Sequence, residues 1–190
     1  MATIESIATQ RNNEHGRPEL YRFREEEDIF KHTRYVMEGN KSETPLYSLA
    51  RGFVSSKDDS RMVAEEMIDV QKIYRKSTGI RIRGEKISVR KKELGENQVK
   101  EIKTIANGFC DYYMGLGHQI AYGIYDVGDA YEVRYAINTV NYADGSKYRH
   151  NSHCIQQQEE KCLATILADV SGRIISDEDR FDFESLEYNP

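Results

Sequence analysis

The chain has 190 residues, 38% of them hydrophobic and 31% charged, which is enough apolar material for one core and too little length to favour two domains. A formal net charge of -5 works against coating a polyanion over the whole surface, so any nucleic-acid contact requires a local basic face. With 13 Tyr and 6 Phe the composition is that of a globular protein and excludes a disordered one.

Three cysteines, Cys110, Cys154 and Cys162, cannot all pair with one another. No secretory signal and no apolar run long enough for a membrane span is legible, so a reduced, cytoplasmic setting is expected. Basic residues concentrate between Lys72 and Lys103, acidic ones at Glu26 to Asp28 and from Asp177 to Glu187.

In chain order, ATIESIATQ alternates weakly and predicts a short strand, and RNNEHGRPE reads as a loop from its Asn, Gly and Pro content. EEEDIFKHTRYVMEG predicts a helix with Ile29, Phe30, Thr33, Val36 and Met37 on one stripe, acidic residues in its first turn and Gly39 as its stop. Tyr35 falls off that stripe. A second helix is predicted over 59–75, with Val63, Met67, Val70 and Tyr74 at helical spacing and Ser56 with Asp59 at capping-box spacing.

GIRIRGEKISVRK alternates as a strand pair or one strand bent at Gly84. A third helix, from about Asn97 to Met114, sets Val99, Ile102, Ala106, Phe109 and Tyr113 on one face. Two strands follow, His118 to Val127 and Ala130 to Tyr142, and the short link between them allows only an antiparallel hairpin. After an Asp144-Gly145 turn, a helix from about Cys154 to Val170 buries Ile155, Cys162, Leu163, Ile166 and Val170. The expected organisation is one domain over 1–175 and an acidic tail over 176–190, with neither internal repeats nor low-complexity segments. This order predicts an α+β fold, an antiparallel sheet covered by helices.

The ATIESI start, RYVMEGNKSET, the helices at 59–75 and 97–114, and YAINTVNYADGSKY together resemble the relaxase or mobilisation-nuclease domain of plasmids and conjugative elements, the HUH endonucleases. That family nicks one DNA strand through a tyrosine and a histidine-bound metal. The resemblance implies an HUH relaxase-like sheet and single-stranded DNA and mobilisation accessory proteins as partners. It also makes Tyr35, ahead of Lys41 and Ser42, the candidate nucleophile, because a phenolate can attack phosphorus and hold the cut end as an ester.

The metal hairpin departs from the family's pattern. Where the resemblance implies one histidine and then a His-apolar-His triplet, the matching positions hold Tyr125 or Asp126, then Glu132 and Arg134. Arg134 cannot ligate a metal, since guanidinium has no free lone pair. An active enzyme would need a rebuilt site, such as Asp126 and Glu132 with His150 or His153, and would use Mg or Mn; otherwise no cofactor is expected. The alternative is that Arg134, held by Glu132 or Asp126, supplies the metal's positive charge and receives a phosphate without cutting it. An exposed Glu132–Arg134 pair worth roughly 0 to 1 kcal/mol is the plainer reading.

His150 and His153 have His-x-x-His spacing, which fits solvated loop histidines as well as a metal pair. Arg81, Arg83, Arg90 and Lys91 alternate and could track a single-stranded backbone, or simply line a solvated strand face. Asn138, which the family keeps beside its metal, is expected to end its strand by a side-chain-to-backbone bond. Three functions remain open: a DNA-binding relaxase relative that has lost nicking, an active relaxase with a non-standard metal set, and an interaction domain that keeps only the fold.

Overall fold

Alternating apolar runs supply the strands of an antiparallel sheet, and helical stripes cover both of its faces. In the computed structural model, which describes residues 2–7, 9–12, 18–21, 23–54, 58–148 and 152–170, the strands are β1 (Thr3–Ile7), β2 (Thr9–Asn12), β3 (Pro18–Tyr21), β4 (Tyr47–Arg51), β5 (Ile82–Arg90), β6 (His118–Asp126) and β7 (Ala130–Asn141). The helices are α1 (Glu26–Glu38), α2 (Ser60–Ile73), α3 (Gln98–Gly115) and α4 (Ser152–Val170). Five strands form one sheet in the order β1-β5-β7-β6-β4, every neighbour antiparallel, and β2 pairs with β3 apart from it. The fold is α+β.

Period-two geometry divides the sheet chemically. Tyr131, Val133, Tyr135 and Ile137 of β7 join Ile120, Tyr122 and Ile124 of β6 in a core with Ile102, Ile105 and Phe109 of α3 and Leu163 of α4. On the other face the strands carry small residues, Ala121 and Ala136, against Ile29, Val36, Val63 and Met67 of α1 and α2. Gly123 carries this economy furthest: a Cβ there would lie 2.0 Å from the Val36 carbonyl oxygen. The end of α1 therefore rests directly on β6.

Local caps fix where the helices begin. Asp28 accepts from the backbone N–H of Arg24 and Glu25 at 2.9 and 2.8 Å, and Asp59 accepts from Arg61 and Met62 at 2.8 and 3.1 Å. Asp59 is thus the N-cap of α2, while Ser56 lies outside the described residues.

Several expectations are revised. β4 falls in a stretch assigned no strand, and β2 and β3 flank part of the segment read as loop. Gly84 does not divide β5, which pairs continuously with β7 from Ile82 to Arg90. Asn138 does not end β7, which runs on to Asn141. The acidic tail lies outside the described residues. No helix among the described residues is long and apolar enough to cross a membrane.

Candidate functional site

Antiparallel register places Tyr125 opposite Glu132, with Arg134 two residues further along the same face, turned toward the end of α1. Arg134 is 4% exposed. Its Cζ lies 4.0 Å from the centroid of the Tyr125 ring and 4.7 Å from that of Tyr35. The guanidinium therefore sits among two aromatic rings and two carboxylates. Nη1 donates to Glu43 at 2.8 Å, Nη2 to Glu43 at 3.3 Å and to Glu132 at 3.0 Å, and Nε to Glu132 at 3.2 Å. Lys86 reaches the other oxygen of Glu132 at 3.3 Å. Two cations and two anions make the cluster formally neutral.

The backbone explains the convergence. Gly39 takes φ +80° after α1, and a Cβ there would fall 2.4 Å from the Glu43 carbonyl oxygen, so the chain folds tightly back and delivers Glu43 over the hairpin. The Tyr125 hydroxyl donates to the Val36 carbonyl at 2.9 Å and reaches the Tyr35 carbonyl, which also accepts from the Gly39 N–H, at 3.0 Å, so it binds the last turn of α1 to the sheet.

Electrostatics oppose a nucleophilic Tyr35. Burial raises its pKa, and the positive charge of Arg134 offsets this only in part. The side chain stays a phenol at neutral pH. For Arg134, burial disfavours the charged form, but the bonds to Glu43 and Glu132 outweigh it and hold the guanidinium charged. The bond to Arg134 keeps the Glu43 carboxyl below its ordinary range.

The residues present do not fit a divalent metal. A guanidinium stands where a ligand would be needed, and it already engages both nearby carboxylates. Among the described residues no three His, Cys, Asp or Glu side chains come together as a metal cluster. Asp126 is not part of the site: it stands opposite Tyr131, which belongs to the α3 core, and accepts from Lys91 Nζ at 2.7 and 2.8 Å. Of the two candidates for the first histidine position, Tyr125 is the one that faces Arg134. His150 and the His153 side chain lie outside the described residues.

Asn138 shares the face of Arg134 but lies four residues along β7, roughly 13 Å away. It is enclosed there, donating to the Met67 carbonyl and Gln119 at 3.2 and 2.8 Å and accepting from Gln71 and the Val140 N–H at 2.9 and 3.1 Å. It ties α2 to the sheet.

The four expected strand cations do not form one surface. Arg81 is 3% exposed and donates to Gln71 and Glu26 at 2.7 and 3.4 Å. Arg83 is bound to Glu85 and, at 2.9 Å, to Glu159 of α4. Arg90 pairs with Glu93 at 3.0 Å, and Lys91 pairs with Asp126.

Sequence reasoning missed Glu43, one of 32 acidic residues in a segment without periodicity, and Lys86. Only the Gly39 stop hinted that the chain reverses near Tyr35. A scan of family models and a search of curated proteins both return no match to this chain.

Proposed function

We propose that this chain is a relaxase-like domain that has lost strand nicking and associates with single-stranded DNA as a binding protein. One observation carries the reading: of the positions matched to the family's metal histidines, Tyr125, Glu132 and Arg134 converge beneath the candidate nucleophile Tyr35 while Asp126 does not, and they do so as a closed and neutral cluster. A relaxase needs a cation that draws in the scissile phosphate and a tyrosine able to lose its proton. Here the cation is Arg134, its donors are held by Glu43 and Glu132, and Tyr35 is held protonated. A phosphate could reach Arg134 only by displacing Glu43.

A fold-only interaction domain is the second reading, favoured by the pairing of Arg81, Arg83, Arg90 and Lys91 with acidic partners. The test is incubation of the chain with supercoiled plasmid and single-stranded oligonucleotide in Mg²⁺ or Mn²⁺, alongside Tyr35→Phe. Salt-sensitive oligonucleotide binding without cleavage is expected. A covalent adduct that disappears in Tyr35→Phe would overturn the proposal, and absence of any DNA binding would favour the interaction domain.

A further inference from the structure

On the opposite side of the sheet, α3 borders an open groove of about 760 Å³ lined by Val99, Lys100, Lys103, Thr104, Asn107 and Tyr131, with Glu96 its one carboxylate among the described residues. Spacings of three, four and seven put Lys100, Lys103, Thr104 and Asn107 on one stripe of the helix, while Ile102, Ile105, Ala106 and Phe109 take the core side.

The charges on this stripe are unusual for this molecule. Most of its other strand and helix cations are paired, but neither Lys100 nor Lys103 has a carboxylate partner among the described residues. Lys103 is instead held over the Tyr47 ring, with Nζ 4.1 Å from the centroid. Lys100 is the third residue of α3, where the helix dipole disfavours a positive charge. Two ammonium groups side by side in the first turns of a helix repel each other and the dipole, and an anion between them would relieve both effects.

Around them the lining is polar and fixed. Asn107 Oδ1 accepts from Arg51 Nη2 and from the Tyr122 hydroxyl, both at 3.0 Å, and among the described residues its amide N–H groups have no acceptor. Val99, 47% exposed, adds an apolar side, and Tyr131, 6% exposed and with Lys91 Nζ 4.9 Å from its ring centroid, closes the floor. Glu96 is an acceptor for hydroxyl groups.

We propose that this groove binds a nucleotide unit, its phosphate neutralised by Lys100 and Lys103 and hydrogen-bonded by Asn107, its ring against Val99 above the buried Tyr131. The volume falls within the range of small-ligand pockets. The inference stands independently of Tyr35 and Arg134, since it uses none of that cluster. The same chemistry could come from a free nucleotide or from one residue of a single strand.

Titration calorimetry on the full chain tests this with AMP, ribose 5-phosphate, inorganic phosphate and a short single-stranded oligonucleotide, in wild type and in Lys100→Gln combined with Lys103→Gln. AMP is expected to bind roughly tenfold tighter than inorganic phosphate, and the double variant to weaken AMP by about tenfold while its circular dichroism stays unchanged. An oligonucleotide that binds tighter than AMP supports the strand as source, and equal or weaker binding supports the free nucleotide. The proposal is overturned if neither binds at millimolar concentration, if inorganic phosphate binds as tightly as AMP, or if the folded double variant binds like wild type.

Discussion

Acidification should destabilise this protein before its carboxylates titrate, because two histidines are buried in the neutral form. His118 is 0% exposed, its Nδ1 hydrogen donated to the Asn138 carbonyl at 2.9 Å, its ring edge-on to Tyr148, and its Nε2 without a hydrogen-bond partner among the described residues. His32 sits against Phe23 and bonds the Tyr135 carbonyl at 3.1 Å. Burial lowers both from 6.5 to about 4.

Between those values the unfolded chain binds more protons than the folded one, so stability is present above pH 6.5 and is lost as pH falls toward 4. With a folded value near 4 and an unfolded value near 6.5, each histidine costs about 2 kcal/mol at pH 5 and about 3 kcal/mol below pH 4. Together that is about 4 kcal/mol at pH 5, a large part of the roughly 5 to 15 kcal/mol typical of a domain.

Glu159 works in the other direction: burial raises its pKa, so its contribution grows as pH falls. Urea melts followed by circular dichroism at pH 7.5, 6 and 5, on wild type, His32→Gln and His118→Gln, separate these contributions. Each variant should lose about half of the decline between pH 7.5 and 5. A stability that is flat over that range in wild type would refute the burial argument.

Other consequences concern packing and the ion clusters. Gly123→Ala drives a methyl into the Val36 carbonyl and should cost about 3 kcal/mol or more while shifting α1, read as a lowered Tm and altered Tyr35 resonances. An unchanged Tm would mean that α1 is not seated on β6 as described. Arg134→Met removes a guanidinium bonded to two carboxylates but leaves Glu132 with Lys86 and lets the partly exposed Glu43 turn to water, so a loss of about 1 to 3 kcal/mol in urea melts is expected. A loss below about 0.5 kcal/mol would mark the cluster as an ordinary surface pair. Glu159→Ala takes the buried carboxylate from the partly buried Arg83 and a partner from Tyr113, and should cost about 3 kcal/mol with hydrogen exchange accelerated first in α4. Uniform acceleration across the sheet would argue against that pair as the tie that docks α4.

The sequence by itself determined the elements whose signal is local. The stripes of α1, α2 and α3, the short link that makes β6 and β7 a hairpin, and the period of two that sets Glu132 and Arg134 on one face all follow from backbone geometry. The β4 strand escaped because Tyr47 to Arg51 is a short edge strand with too few residues to show a period. The tertiary structure alone decided the partners. It brought Glu43 to Arg134 across 91 residues, chose Tyr125 over Asp126 for the cluster, buried Arg81 and locked the partly buried Arg83 to Glu85 and Glu159, two residues that the alternating pattern had made look like a surface stripe. Side-chain periodicity fixes which face of an element a residue occupies, but whether that face meets water, a helix or an opposite charge depends on how distant segments pack.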